Sequence, residues 1–109
     1  MIATVYIFTQ TDSKTIERIL EDDNVGINHM VLAKGDALPD HVANSHVYLI
    51  VIRGKLTIKI EGQEEDLVYP SGSIVNIPFK TQMQPYNQFD EILEFFVVKA
   101  PSPRHMPND

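Results

Sequence analysis

Hydrophobic and polar residues alternate along this chain in many short runs, with glycine, proline, asparagine and aspartate between them. A two-residue period marks half-buried strands, because successive side chains on a strand point to opposite faces. Ala3–Phe8, rich in Val, Tyr and Ile, opens the series as an expected strand, and Val25–Ala33 (VGINHMVLA) follows. Ser45–Arg53 reads SHVYLIVIR, a nearly continuous apolar run that predicts a strand covered on both faces. After Gly54, KLTIKIE alternates cleanly, with Leu56, Ile58 and Ile60 on one face and Lys55, Thr57, Lys59 and Glu61 on the other. Asp66–Tyr69, Ser73–Ile77, Met83–Asn87 and Glu91–Lys99 complete the set, divided by turn signals at Gly62-Gln63, Pro70-Ser71-Gly72 and Asn87–Asp90. Pro85 cannot donate to a ladder, which suits an edge or a strand end. Strands returning at this spacing predict an all-β fold, closed as a barrel or packed as two sheets, since either arrangement removes most of the open edge.

Two segments break the pattern. Asp12–Asp22 (DSKTIERILED) places Ile16, Ile19 and Leu20 at helical spacing, yet no capping box is in register, because Lys14 stands three before Glu17. The same residues also suit an edge strand, and the all-β context tilts the reading that way without closing it. The end, APSPRHMPND, holds three prolines in ten residues and is expected along the surface or disordered.

At 109 residues the chain suits one domain over 1–109, with N-terminal strands in 1–24, a core at about 25–101 and the Pro-rich tail at 100–109. A hydrophobic content of 43% is that of an ordinary globular protein. The net charge of −6 repels phosphate backbones and no basic stripe exists, so nucleic acid and anionic membrane are not expected partners. The longest apolar run, Val47–Ile52, is too short to span a bilayer. With no cysteine, thiolate catalysis, Cys-based zinc sites and disulfides are excluded. The first residues lack the basic and apolar regions of a signal peptide, so the expected location is cytoplasmic.

Residues 35–54, GDALPDHVANSHVYLIVIRG, resemble the first motif of the cupin superfamily, with Gly35 at its first glycine, Pro39 at a frequent proline, His41 at its first histidine and Gly54 at its closing glycine. Residues 77–87, IPFKTQMQPYN, resemble the second motif through Pro78 and Asn87, and Lys99-Ala100-Pro101 is similar to the close of small cupins. The resemblance implies a cupin-type double-stranded β-helix, a jelly-roll-like barrel. It also implies a metal held by three His and one Glu, but the motifs are degenerate here. Ala43 stands at the second His position, Val47 at the Glu, Met83 at the third His and Lys80 at a glycine, leaving His41 alone of the four ligands. A methyl and an isopropyl offer no lone pair, and a thioether is a poor ligand for Mn, Fe, Ni or Zn. The fold carries over and the metal does not, so no cofactor is predicted.

The expected function is therefore a small cupin barrel that binds a small molecule in an apolar pocket, or one that serves mainly as a scaffold. Candidate lining residues are His41, Ala43, Val47, Met83 and Phe79, with Asn28 or Gln82 as polar fixings. His41 is either a ligand-facing group at the barrel mouth or a histidine satisfied by backbone or water. His46 follows the outward parity of its strand, and His29, between apolar neighbours, reads as a hydrogen-bonded packing residue. The alternative is a metal-dependent oxygenase or isomerase with a divalent metal at a site rebuilt from His41, His46 and His29, which needs a bulge near Asn44-Ser45. No catalytic residue is assigned. The acidic groups Glu21-Asp22-Asp23 and Glu64-Glu65-Asp66 sit beside turns and read as solvated runs. Small cupins commonly pair, so the resemblance implies a homodimer, and the outward row Tyr48, Ile50 and Ile52 is the expected interface.

Overall fold

The computed structural model describes residues 2–107, so Met1 and the last two residues of the expected tail lie outside the described residues. Among the described residues nine strands run in chain order: β1 (Thr15–Glu21), β2 (Gly26–Leu32), β3 (His41–Val42), β4 (Val47–Arg53), β5 (Lys55–Ile60), β6 (Leu67–Pro70), β7 (Ile74–Ile77), β8 (Gln82–Tyr86) and β9 (Leu93–Lys99). They form a five-stranded sheet, β1-β2-β9-β4-β7, and a four-stranded sheet, β3-β8-β5-β6, in which every named pair is antiparallel. This is the all-β, double-stranded β-helix expected from the sequence. Among the described residues no helix is long and apolar enough to cross a membrane.

Alternation decides which residues go inside. Met30 and Leu32 of β2 pair with Phe95 and Leu93 of β9, and Leu49 and Val51 of β4 pair with Val97 and Phe95. All of these are buried and meet Leu56, Ile58 and Met83 of the second sheet. A one-residue slip would turn each of them away from the core to the outer face of its sheet, so the register is strongly specified.

The chain crosses between the sheets at Gly54, which has φ +78°. A Cβ there would lie 2.3 Å from the Ile92 carbonyl oxygen and 2.9 Å from Leu93 Cα. Two backbones therefore touch at the bend, and only glycine allows it. Asn87 ties the other side of this end. Fully buried, it donates from Nδ2 to the carbonyls of Leu32 (3.0 Å) and Glu91 (2.9 Å), and its Oδ1 accepts from the Phe89 amide (2.9 Å). Pro85 lies within β8, beyond the two residues of β3, so its missing N–H leaves no gap in that ladder.

Three expectations need correction or completion. Ala3–Phe8 joins no ladder, and only its last residue is placed on the five-stranded sheet, where the Phe8 ring packs against His29 and Phe96. The ambiguous segment at 12–22 resolves as β1, an edge strand with an irregularity between Arg18 and Leu20. The described part of the tail is neither loose nor wholly at the surface: it forms a short 3-10 turn at Pro103–His105, with Ser102 buried just before it.

Gly54→Val is expected to cost on the order of 4 kcal/mol or more, because the new side chain meets backbone that cannot move aside. Gly62→Ala is the control. Gly62 also has positive φ, +89°, but nothing lies within 4 Å of its Cβ position. Its expected cost is about 1 kcal/mol. Urea unfolding of both variants checks the pair, and equal losses would show that torsional strain alone, without close approach, governs the bend.

Candidate functional site

The barrel end away from Gly54 is where the expected site residues gather. Val47 starts β4 and pairs with Ile77 and Lys99, while Met83 of β8 pairs with His41 and Ile60. Ala43 leaves β3 and is held by two backbone hydrogen bonds to the turn after β7. Its amide donates to the Thr81 carbonyl (2.8 Å), and its carbonyl accepts from the Lys80 amide (2.9 Å). Lys80 takes φ +74°, so the turn keeps a glycine-like conformation without the glycine.

Ala43, Val47 and Met83 are exposed by only 1%, 1% and 2%, and belong to the continuous core. His41 shares Met83's face but stands at the exposed rim, its Nδ1 donating to the Pro39 carbonyl at 2.8 Å. Asn28 is half-buried on the inward face of β2, between Arg18 and Val97. Phe79 is half-buried with its ring 6.4 Å from that of exposed His46, and with the Lys80 ammonium over it. Gln82 hydrogen-bonds Asp40 on the surface.

The donor set does not fit the family's metal. The four ligand slots hold one imidazole, a methyl, an isopropyl and a thioether. The rebuilt site fails as well, since His41 is at the rim, His46 faces out and His29 belongs to a different cluster. Among the described residues no group of three or more His, Asp or Glu side chains is placed to hold an ion.

The tail crosses this end of the barrel. Ser45 Oγ donates to the Pro101 carbonyl at 2.5 Å, and Arg104 binds Asp23 and the Glu21 carbonyl, each at 2.9 Å. Pro103 Cδ sits 3.8 Å from the position a Gly26 Cβ would take, beside the Lys99 stem at 3.7 Å. Gly26 and Lys99 share the inward-facing row with Val47, so the tail packs on the inner side. Burial there pushes the Lys99 ammonium below its ordinary pKa, an effect Glu21 opposes and Arg18 reinforces.

A second cluster lies on the opposite, outer face of the five-stranded sheet. His29 is fully buried with both ring nitrogens on carboxylates: Nδ1 is 2.7 Å from Glu17 Oε2, and Nε2 is 2.6 Å from Glu94 Oε2. Arg53 Nε donates to Glu94 Oε1 (2.8 Å), and its two other nitrogens reach Asp12 (2.6 Å) and the Thr11 carbonyl (2.6 Å). Phe8 covers the cluster, its ring 4.8 Å from that of His29 and 4.9 Å from that of Phe96. Beside it opens a cleft of about 620 Å³ lined by Phe8, Gln10, Ile52 and Phe96 among others. Sequence reasoning found His29 but none of its partners. The available signal was Glu94, a single carboxylate inside an apolar strand, which must either face water or find a partner.

Comparison with known proteins follows the fold. No protein-family model matches the sequence. An uncharacterized protein of Methanocaldococcus jannaschii is 43% identical over 107 residues, covering 97% of this chain and 91% of its own length. A crystal structure from the same organism, of an RmlC-like cupin family protein with a double-stranded β-helix fold, superposes with TM-score 0.91 at 44% identity and 95% coverage of both chains. A cupin-like protein from Thermotoga maritima matches with TM-score 0.74 at 19% identity, over 86% of this chain and 80% of its own, which is a likeness of fold.

Val47→Glu restores the family's carboxylate at a position that is 1% exposed and packed among core side chains, with the Lys99 stem as its cross-strand neighbour. Expected is a loss on the order of 3 kcal/mol or more, read from urea midpoints at neutral pH, and a smaller loss at pH 4, where the new group can stay protonated. An unperturbed variant would mean that position 47 reaches water.

Proposed function

The chain belongs to the cupin family, and on that premise we propose that it is a metal-independent, non-catalytic cupin that works as a homodimeric scaffold. The observation that carries this reading is the filling of the ligand slots by Ala43, Val47 and Met83, side chains that are both donor-free and buried. A small molecule in that position must first open space among packed side chains and displace the tail at Pro103.

The face that does need covering is outside the barrel. Ile2, Val5 and Ile7 of the N-terminal arm are exposed by 93%, 77% and 84%, and Tyr48, Ile52 and Ile74 of the five-stranded sheet also stand in solvent. The arm meets the sheet through Phe8, and Phe8, Ile52 and Phe96 together line the cleft, so apolar side chains of arm and sheet adjoin there. A patch of this kind on a small chain marks an association surface, and a second copy related by a twofold axis buries the same residues on both sides.

Sedimentation equilibrium at micromolar concentration is expected to give a dimer. Ile7→Asp with Ile52→Asp is expected to give a folded monomer with an unchanged β-type circular dichroism spectrum. A wild-type monomer removes the scaffold proposal. Metal analysis of the purified protein tests the other half: one tightly bound transition metal per chain, lost in His41→Ala, overturns metal independence.

A further inference from the structure

We infer that the Glu17–His29–Glu94–Arg53 cluster is a proton-dependent clasp that fastens the N-terminal arm to the sheet. The inference stands apart from how copies assemble, since every group in it belongs to one chain. It rests first on counting hydrogens. Glu17 spends its carboxylate as an acceptor: Oε2 takes the Thr9 amide at 2.9 Å, and Oε1 takes the Thr9 hydroxyl at 2.9 Å. With no proton to offer, Glu17 Oε2 accepts from His29 Nδ1 as well. Glu94 Oε1 accepts from Arg53. The remaining contact, Nε2 to Glu94 Oε2 at 2.6 Å, then needs a hydrogen of its own. Whether it rides on the imidazole or on Glu94, the closed cluster holds one proton more than a neutral histidine between two ionised carboxylates.

Removing that proton sets two lone pairs against each other at a buried contact. The imidazole itself is shut off from solvent, because it is fully buried and Phe8 and Phe96 pack on the ring, so its unpaired nitrogen has no ready substitute partner. The strain falls on the arm. Thr9 is held by Glu17, while Thr11 and Asp12 are held by Arg53, which Glu94 positions from β9. Glu17 reaches in from β1, His29 from β2, Arg53 from β4 and Glu94 from β9, and the arm contributes Phe8, Thr9, Thr11 and Asp12. The Glu17 carboxyl is held below its ordinary pKa, chiefly by the Thr9 amide and next by His29, which agrees with its role as a pure acceptor. Arg53 is pushed up, chiefly by Asp12 and then Glu94. The sign follows. Docking of the arm retains a proton, so the clasp is closed at lower pH and opens as rising pH strips that proton. Below the depressed Glu17 titration it opens again, as the carboxylate loses its acceptor role.

The test uses the full chain and nuclear magnetic resonance across pH 5 to about 10. Expected are imidazole nitrogen shifts for His29 in which both nitrogens are hydrogen-bond donors or strongly hydrogen-bonded at neutral pH. The Thr9 amide is expected to move with the same midpoint, and its exchange protection, corrected for intrinsic rates, to fall at least about tenfold above it. Glu17→Gln is expected to remove that protection at all pH values, and His46→Gln to leave it intact. His29→Gln serves as a second variant, with the pH step gone whether or not its protection is lower. Oligomeric state is read in the same samples, so a loss of protection without dissociation belongs to the clasp. A Thr9 amide whose protection does not change across the range, or one that is unaffected by Glu17→Gln, overturns the inference.

Discussion

The inward row of β4, Val47, Leu49 and Val51, sets much of what the rest of the molecule can do. These three side chains pair in register with Lys99, Val97 and Phe95 of β9, and the first two also with Ile77 and Val75 of β7. Because a strand has only two faces, fixing this row inward forces Tyr48, Ile50 and Ile52 outward. The inside of the barrel and the apolar character of its outside are thus one decision. The row also places an isopropyl where a ligating carboxylate would otherwise enter, and that substitution converts a coordination sphere into ordinary packing. Interiors at this density transmit the change, so Ala43 and Met83 fill the remaining space rather than leave a cavity.

Polar residues inside the structure survive by complete pairing. Asn87 uses both hydrogens and its oxygen on three backbone groups, and Thr57 receives a hydrogen bond from Gln88. His29 is the extreme case, fully buried between two carboxylates. Ser102 is the exception, since its buried hydroxyl has no partner among the described residues. An unpaired hydroxyl costs about 1–3 kcal/mol, so the segment that carries it must be held by something else. Ser45 below and Arg104 beyond supply that hold.

The strands from Gly26 to Lys99, apart from the two residues of β3, were legible because alternation, turn residues and spacing all report the same local geometry. Gly54 was legible because a close backbone approach demands glycine, and the inert slots at Ala43, Val47 and Met83 were legible because donor chemistry can be read from residue type. What alternation does not report is the partner. Ala3–Phe8 has the composition and the period of a strand, yet it joins no ladder and meets the sheet through the Phe8 ring. The two-sided covering read into Ser45–Arg53 is likewise only half supplied within one chain, since Tyr48 and Ile52 remain exposed. The cluster at His29 was out of reach for a different reason. Its members come from positions 12, 17, 29, 53 and 94, and no local spacing links them.

An acidic chain with few cations uses its two best-placed arginines at its two ends. Arg53 grips the N-terminal arm, and Arg104, itself in the C-terminal tail, grips the end of β1 and the turn after it, each through one carboxylate and one backbone carbonyl. The two grips differ in what stands behind them. Asp23 and Arg104 are largely exposed, and a surface pair of that kind contributes about 0–1 kcal/mol. Arg53 is anchored on Glu94, which is shielded by the sheet and shared with buried His29, so breaking that contact leaves a shielded carboxylate without its cation, whereas Asp12 is itself exposed. Both ends are thus held by an arginine at the surface, and what sets the arm apart is the shielded Glu94 that fixes Arg53 from behind, together with the Phe8 ring packed on His29 and Phe96.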